Sequence, residues 1–208
     1  GKSIKVKELT ESSFENINIA LFSAGGSISE KFAPHAVKAG AIVVDNTSHF
    51  RMDPKVPLIV PEVNKHAIKN HQGIIANPNC STAQLVMVLK PIHDKAKIKR
   101  LVISTYQSVS GAGKEAVLEL ENHSRLLLKG QDSEPKEFSH KMPFNVIPQI
   151  DVFQDNGYTK EEMKMINETQ KILESPIQIT ATAVRVPVFI SHSEAVNIQT
   201  ESPISAKE

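Results

Sequence analysis

Apolar and polar positions follow two rhythms along this chain, and the places where one gives way to the other outline its elements. Ile17-Asn18-Ile19-Ala20-Leu21-Phe22 is nearly continuous in apolar residues, as a buried strand is, and it ends at Ser23-Ala24-Gly25-Gly26-Ser27. Over residues 29–38 the period lengthens: Phe32, Ala33, Ala36 and Val37 share one helical face, and Gly40 supplies a stop. Ala41-Ile42-Val43-Val44-Asp45 reads as the next strand, with Asn46-Thr47-Ser48 as its polar exit. Strand, helix and strand joined by short connections predict a parallel, doubly wound sheet. Ligands of such sheets lie beyond the carboxyl ends of the strands, where the loops at 23–27, 46–51 and 77–80 all fall.

Further along, Val60-Pro61-Glu62-Val63-Asn64 leads into a short helix over 65–70. The apolar run Gly73-Ile74-Ile75-Ala76 then breaks at Asn77-Pro78-Asn79, and Leu85, Val86, Val88 and Leu89 mark a helix that begins at once and ends near Lys95. Residues 100–106 form a strongly apolar strand followed by Gln107 and the loop Ser108-Val109-Ser110-Gly111-Ala112-Gly113. Residues 114–128 read as a helix, 130–144 as polar and irregular, and 144–151 as extended, with Pro143 and Pro148 arguing against a central strand. Thr159 with Glu162 three residues on is a capping box, opening a helix to about Leu173. Two β-rich runs close the chain, 177–189 and 194–200. In the first, Arg185 shares its face with Ile179, Ala181 and Ala183, and a charge there needs a partner.

Composition narrows the function without naming it. The 208 residues are enough for one large domain or two small ones, and 40% hydrophobic with 23% charged residues is ordinary for a globular protein. A net charge of +1 without a basic block gives no reason to expect nucleic acid. No apolar run approaches the ~20 residues of a membrane span. A single cysteine forms no internal disulfide, which fits a reducing cytoplasm.

That cysteine, Cys80, falls where Asn77-Pro78-Asn79 turns into a helix flanked by Ser81 and Thr82. A lone cysteine is ordinarily a small buried hydrophobe. At a helix N-terminus, however, unpaired N–H groups and the dipole favour the thiolate and lower the pKa from its usual value of about 8.5. Cys80 is therefore read as a nucleophile in need of a base. Of the eight histidines, six lie in or beside helices and polar loops, His49 adjoins Arg51, and His192 in the turn Ile190-Ser191-His192-Ser193 is the best placed. None shows metal-ligand spacing. Residues 23–26 could bring backbone N–H groups to a phosphate or could be a glycine turn chosen for geometry alone, since they are not a G-x-G-x-x-G pattern. Arg51 could fork onto an anion.

Asn77-Pro78-Asn79-Cys80-Ser81-Thr82, the run Ser104-Thr105-Tyr106-Gln107 continuing to Gly113, and Arg185-Val186-Pro187-Val188 followed by His192-Ser193-Glu194 closely resemble the aspartate-β-semialdehyde dehydrogenases, the bacterial branch above all. Phe22-Ser23-Ala24-Gly25, Val44-Asp45-Asn46-Thr47-Ser48 and Glu161-Glu162-Met163-Lys164 fit the same family, so the likeness covers essentially the whole chain. The resemblance implies an α/β fold. Residues 1–78 would be the remaining part of a Rossmann-like NADP-binding domain. Residues 79–208 would be an α+β catalytic and dimerisation domain like that of glyceraldehyde-3-phosphate dehydrogenase. It also implies roles. Cys80 would attack the substrate carbonyl, His192 would act as acid and base, and Gln107 would orient the substrate. Arg185 would clamp its α-carboxylate and Glu161 would help set the pocket. Arg51, Lys164 and Asn79 would hold phosphate. Ser23, Ala24 and Gly25, with Ser110 and Gly111, would contact NADP.

The implied reaction interconverts aspartate semialdehyde and 4-aspartyl phosphate through a thiohemiacetal and a thioester, in lysine, threonine and methionine biosynthesis. The implied partners are the small-molecule substrate and inorganic phosphate, with a homodimer or homotetramer in the cytoplasm and no metal, nucleic acid or membrane. Family members open with a Gly-rich turn and continue past the last strand here, so an internal portion with little activity of its own is expected. The acyl-phosphate reductase of arginine synthesis, which acts on N-acetyl-glutamyl phosphate, is the near alternative. A Cys–His hydrolase would leave Arg51, Lys164 and the Ser110-Gly111 loop without a job, and a fragment that only dimerises is the remaining rival.

Overall fold

The computed structural model describes residues 2–207, which divide into two compact units: 2–79 with Lys171–Leu173, and Cys80–Gln170 with 174–207. The first unit is a three-stranded parallel sheet in the order β1-β2-β3, from Ile19–Phe22, Ile42–Asp45 and Ile74–Ala76. Helix α1, Gly26–Lys38, makes the crossover between β1 and β2, and α2, Pro61–Asn64, with a 3-10 turn, Lys65–Asn70, precedes β3. Ala20 and Phe22 of β1, Val43 of β2 and Phe32, Ala33 and Ala36 of α1 form one apolar cluster with Phe14, whose ring stacks on Phe22 at 5.8 Å. Burying such a face, at roughly 25 cal/mol per Å² of apolar surface, holds the layer together. Gly73 precedes β3 with φ +99°, and a Cβ there would lie 2.5 Å from a Val37 methyl, so the crossover packs only because the side chain is absent.

The reading of 17–22 as a buried strand is corrected. The strand is Ile19–Phe22 and alternates, with Ile19 63% and Leu21 79% exposed. β1 lies at the edge of the sheet, and only its Ala20/Phe22 face receives the α1 cluster.

The second unit is a mixed sheet in the order β5-β4-β6, from Gln178–Arg185, Ile98–Gln107 and Ser193–Thr200. β4 is parallel to β5, with Gln107 opposite Arg185, and antiparallel to β6, with Tyr106 opposite Ser193. The helices are α3, Cys80–Ala96, α4, Lys114–Leu127, and α5, Lys160–Leu173. Val109, Ala116, Leu120, Met142 and Ile147 form a satellite core. β5 turns Ala181, Ala183 and Arg185 inward, as the alternation requires, but stops at Arg185 and not at 189. Pro187 has no N–H to continue a ladder. Within 144–151 only Ile147 pairs, exchanging main-chain hydrogen bonds of 2.9 and 2.8 Å with Arg185.

Thr159 caps α5 as its pattern predicts. Its hydroxyl accepts the Glu162 N–H at 3.3 Å, and Glu162 Oε2 accepts the Thr159 N–H at 2.7 Å. Glu162 Oε1 also accepts the Ala183 N–H at 3.0 Å, tying the cap to β5.

Candidate active site

In the second unit the ends of four elements present their polar side chains together. Cys80 is the first residue of α3, Gln107 the last of β4, Arg185 the last of β5, and Glu161 lies in the first turn of α5. Gln107 is 2% exposed and donates from Nε2 to Glu161 Oε1 and to Thr105 Oγ1, both at 3.2 Å. With those amide protons committed, Gln107 offers a ligand its carbonyl oxygen. Glu161 Oε2 accepts from Lys164 Nζ at 3.1 Å, and the same ammonium donates to Asp151 Oδ2 at 3.2 Å. Burial acts to lower the Lys164 pKa, but the Glu161 charge and the bonds to both carboxylates outweigh it and raise the pKa overall. Asp151 moves the other way. Its pKa is lowered because the Val152 N–H bond and Lys164 outweigh its burial.

Arg185 finds its partner in the main chain: Nη1 donates to the Ser108 carbonyl at 2.7 Å. Its pKa is lowered by burial, against the opposing charges of Glu161 and Cys80. His192 accepts the Ser108 N–H on Nδ1 at 3.0 Å, with the Ser108 hydroxyl at 3.3 Å. Its pKa is lowered by burial first and by Arg185 as well, while the Ser191 main-chain bond and Glu161 act in the opposite sense. Gly111 fits between the two side chains: a Cβ there would lie 3.3 Å from Arg185 Nη1 and 3.4 Å from His192 Nε2. Arg185 and Asp151 also line a cavity of about 250 Å³ together with Ile147, Ile150 and Phe138.

Cys80 departs from expectation. The helix-end donors are present, since hydrogen bonds from the Ser81 N–H and hydroxyl and from its own N–H act to lower the pKa. Desolvation and then the Glu161 carboxylate outweigh them, so the thiol stands above its ordinary value and not below it. The residue is exposed by area, yet enough protein surrounds the sulfur to disfavour its charge.

Ser110 also lies in the second unit, its hydroxyl 2.9 Å from that of Ser108, while the first unit holds Ser23, Ala24, Gly25, Arg51 and Asn79. Gly25, with φ +101°, precedes α1, and the space a Cβ would occupy is open. Ser23 Oγ accepts from Asn46 Nδ2 at 3.4 Å, and Asn77 Nδ2 donates to Asn46 Oδ1 at 2.7 Å. Arg51 is 8% exposed and donates to the carbonyls of Asn77 and Asn46, each at 2.9 Å, so it joins the two exit loops beyond β2 and β3. Lys171 Nζ donates to the carbonyls of Arg51, Asp53 and Val56 at 2.7, 2.8 and 2.9 Å. Buried Asp45 accepts from Ser29 Oγ and from the N–H and hydroxyl of Thr47, each at 2.9 Å. Asn79 is 8% exposed.

Sequence reasoning missed Asp151 and Ser108. Asp151 stands outside any periodic element, and Ser108 acts largely through main-chain atoms that every residue has. Among the described residues, no group of three or more His, Cys, Asp or Glu is placed to hold a metal, and no helix is long and apolar enough to cross a membrane.

A parallel α/β unit and a mixed-sheet unit that opens on an exposed cysteine define a two-unit α/β protein. The chain belongs to the semialdehyde dehydrogenases: the family's NAD binding domain matches residues 1–71 and its dimerisation domain residues 89–208. The particular relatives are enzymes of one name. The aspartate-semialdehyde dehydrogenase of Campylobacter jejuni is 56% identical over all of this chain and 62% of its own length. That of Bacillus subtilis is 54% identical over 96% of this chain and 60% of its own length.

Among solved structures, aspartate semialdehyde dehydrogenase II of Vibrio cholerae complexed with ASA superposes with a TM-score of 0.96 and 53% identity. The match covers 100% of this chain and 62% of that one. The Candida albicans enzyme with NADP gives 0.64 at 25% identity, over 90% of this chain and 52% of that one. The chain thus spans about 60% of the length of the relatives it matches.

Proposed function

We propose that this chain carries the acyl-transfer machinery of an NADP-dependent, phosphorylating aspartate-semialdehyde dehydrogenase, interconverting aspartate semialdehyde and 4-aspartyl phosphate. The observation that carries the reading is the gathering of Cys80, Gln107, Glu161, Arg185 and His192 at the ends of elements in one unit, with Gly111 left bare between the last two. Cys80 Sγ forms a bond to the aldehyde carbon, giving a thiohemiacetal, and loss of hydride from that carbon leaves a thioester on Cys80. Inorganic phosphate attacks the thioester, the C–S bond breaks, and the thiol takes back its proton as acyl phosphate leaves. His192 handles the protons of both stages. Arg185 forks onto the α-carboxylate, Gln107 orients the substrate through its carbonyl oxygen and Glu161 sets the pocket. Phosphate binding is assigned to Lys164 in the second unit and, by the family resemblance, to Arg51 and Asn79 in the first.

A bound nicotinamide dinucleotide supplies the hydride acceptor. In the first unit the open cradle at Gly25, where α1 begins and a Cβ would meet nothing, suits its phosphates, and Ser23 and Ala24 lie beside it in sequence. In the second unit Ser110 and Gly111 are assigned to its nicotinamide end. Desolvation and then the Glu161 charge raise the Cys80 pKa, so the thiolate is disfavoured in the site as it stands. We further infer a homodimer or homotetramer acting in the cytoplasm, from the matched dimerisation domain and the single cysteine.

The test is phosphate-dependent reduction of NADP with aspartate semialdehyde, run on this chain and on the chain extended to the length of its relatives. Cys80→Ala is expected to abolish turnover in whichever form is active while leaving its circular dichroism unchanged. Turnover by the alanine variant would end the covalent reading.

A further inference from the structure

Ser108 lies between the two groups that would act on the substrate and touches both through its peptide. Its N–H donates to His192 Nδ1 at 3.0 Å and its carbonyl accepts from Arg185 Nη1 at 2.7 Å. The peptide is itself fixed. The Val109 N–H donates to the Val188 carbonyl at 2.9 Å and the Ser110 N–H to Phe189 at 3.1 Å, locking the loop after β4 onto the strap after β5. Ser108 is fully buried, and its hydroxyl lies 2.9 Å from Ser110 Oγ as well as 3.3 Å from His192 Nδ1.

A main-chain N–H can only donate, so the nitrogen it meets must present a lone pair. In a neutral imidazole the other nitrogen then carries the hydrogen. We infer that Ser108 is a positioning residue that holds neutral His192 as the tautomer protonated on Nε2, so that the ring presents a hydrogen-bond donor toward Gly111 and keeps its basic nitrogen, Nδ1, on the Ser108 N–H. The catalytic consequence rests on the reading of His192 given above; the tautomer does not. A neutral ring in this form can stabilise a substrate oxyanion by donation from Nε2. It can take up a proton only at Nδ1, and doing so breaks the bond to the Ser108 N–H. One acceptor then within reach of the new Nδ1–H is the Ser108 hydroxyl, which can pass its own hydrogen bond to Ser110 Oγ, and the main-chain bond to Ser191 supports the cation as well. The N–H therefore favours the neutral ring and the hydroxyl favours the cation. The other charged groups acting on the ring are Arg185 from β5, which opposes the cation, and Glu161 from α5, which supports it.

The experiment is nitrogen-15 NMR of the imidazoles in this chain as a function of pH, with His192→Gln assigning the signal among the eight histidines. Above its titration midpoint, His192 is expected to show a protonated Nε2 and a pyridine-like Nδ1. A protonated Nδ1, or an even mixture of tautomers, overturns the inference whether or not the chain is an aspartate-semialdehyde dehydrogenase. Ser108→Ala keeps the N–H and removes the hydroxyl. It should leave the tautomer unchanged and shift the midpoint to lower pH, whereas an unmoved or higher midpoint sinks the hydroxyl's part. A purely structural role for Ser108 would move neither readout. The enzyme assay of the preceding section is a separate measurement, so failure of one reading is distinguishable from failure of the other.

Discussion

Glu194, the second residue of β6, offers the most direct test of how burial governs charge in this molecule. Its Oε1 is closed off from solvent and has no hydrogen-bond partner, while the side chain of Gln84 on α3 bonds to the carboxylate. Burial pushes the acid from its ordinary 4.5 up to about 7, with the Gln84 bond opposing it. The sign follows from linkage. Where the folded-state value is raised, the native chain keeps a proton that the unfolded chain has lost. The stability this contributes is complete below pH 4.5 and is lost as the pH climbs through about 7. At about 1.4 kcal/mol per unit, a sealed carboxyl shifted this far would contribute about 3 kcal/mol. Glu194 is only partly buried, so solvent screening reduces the expectation to roughly 1–2 kcal/mol. Glu194→Gln preserves the shape and removes the titration. In urea unfolding at a series of pH values, the variant and parent should match near pH 4.5 and diverge as the pH rises, the variant being the more stable above pH 7. Every other titrating group cancels in the difference, provided the m-values agree. Parallel profiles across that window would refute the reasoning.

Two further substitutions probe packing and local structure. Gly111→Ala meets no backbone penalty comparable to that at Gly113, whose φ is +106°, but its methyl would press on Arg185 Nη1 and His192 Nε2, both pinned by Ser108. Stability should change by less than about 1 kcal/mol, while kcat/KM for the semialdehyde in the active form falls at least about tenfold, the loss expected of a small misplacement at a reacting centre; an unimpaired variant would mean the two side chains yield without cost. Thr159→Ala removes the hydroxyl that accepts the Glu162 N–H and should lower stability by about 1 kcal/mol, read as a shift of urea midpoint at constant m-value.

What was legible in the sequence was whatever is decided within a few residues. The capping box at Thr159 and Glu162 is complete in one turn, and its pattern predicts the start of α5 to the residue. The parity of β5 puts Arg185 on the inner face with Ala181 and Ala183, because alternation in a strand is a local property. The failures share the opposite character. Ile19 and Leu21 look like core residues by type, but they lie on the face of the sheet away from the α1 cluster, where their neighbour Ile42 on the central strand is exposed as well. Cys80 carries every local sign of an activated thiol, and the local donors do pull its pKa down. They lose to desolvation and to a carboxylate that arrives on α5 from the far side of the sequence. Asp151, which shares Lys164 with that carboxylate, announces itself by no period at all. The pKa of the nucleophile is therefore a property of the assembled site: desolvation raises it first and the Glu161 charge adds to that, and Gln107 and Lys164, by binding both oxygens of Glu161, are the groups placed to moderate that charge. An anion that draws Lys164 away from Glu161 would strengthen that carboxylate's part in raising the thiol pKa, whereas a cationic group arriving beside Glu161 would weaken it, with desolvation remaining the larger cause and the donors at the start of α3 still pulling the other way.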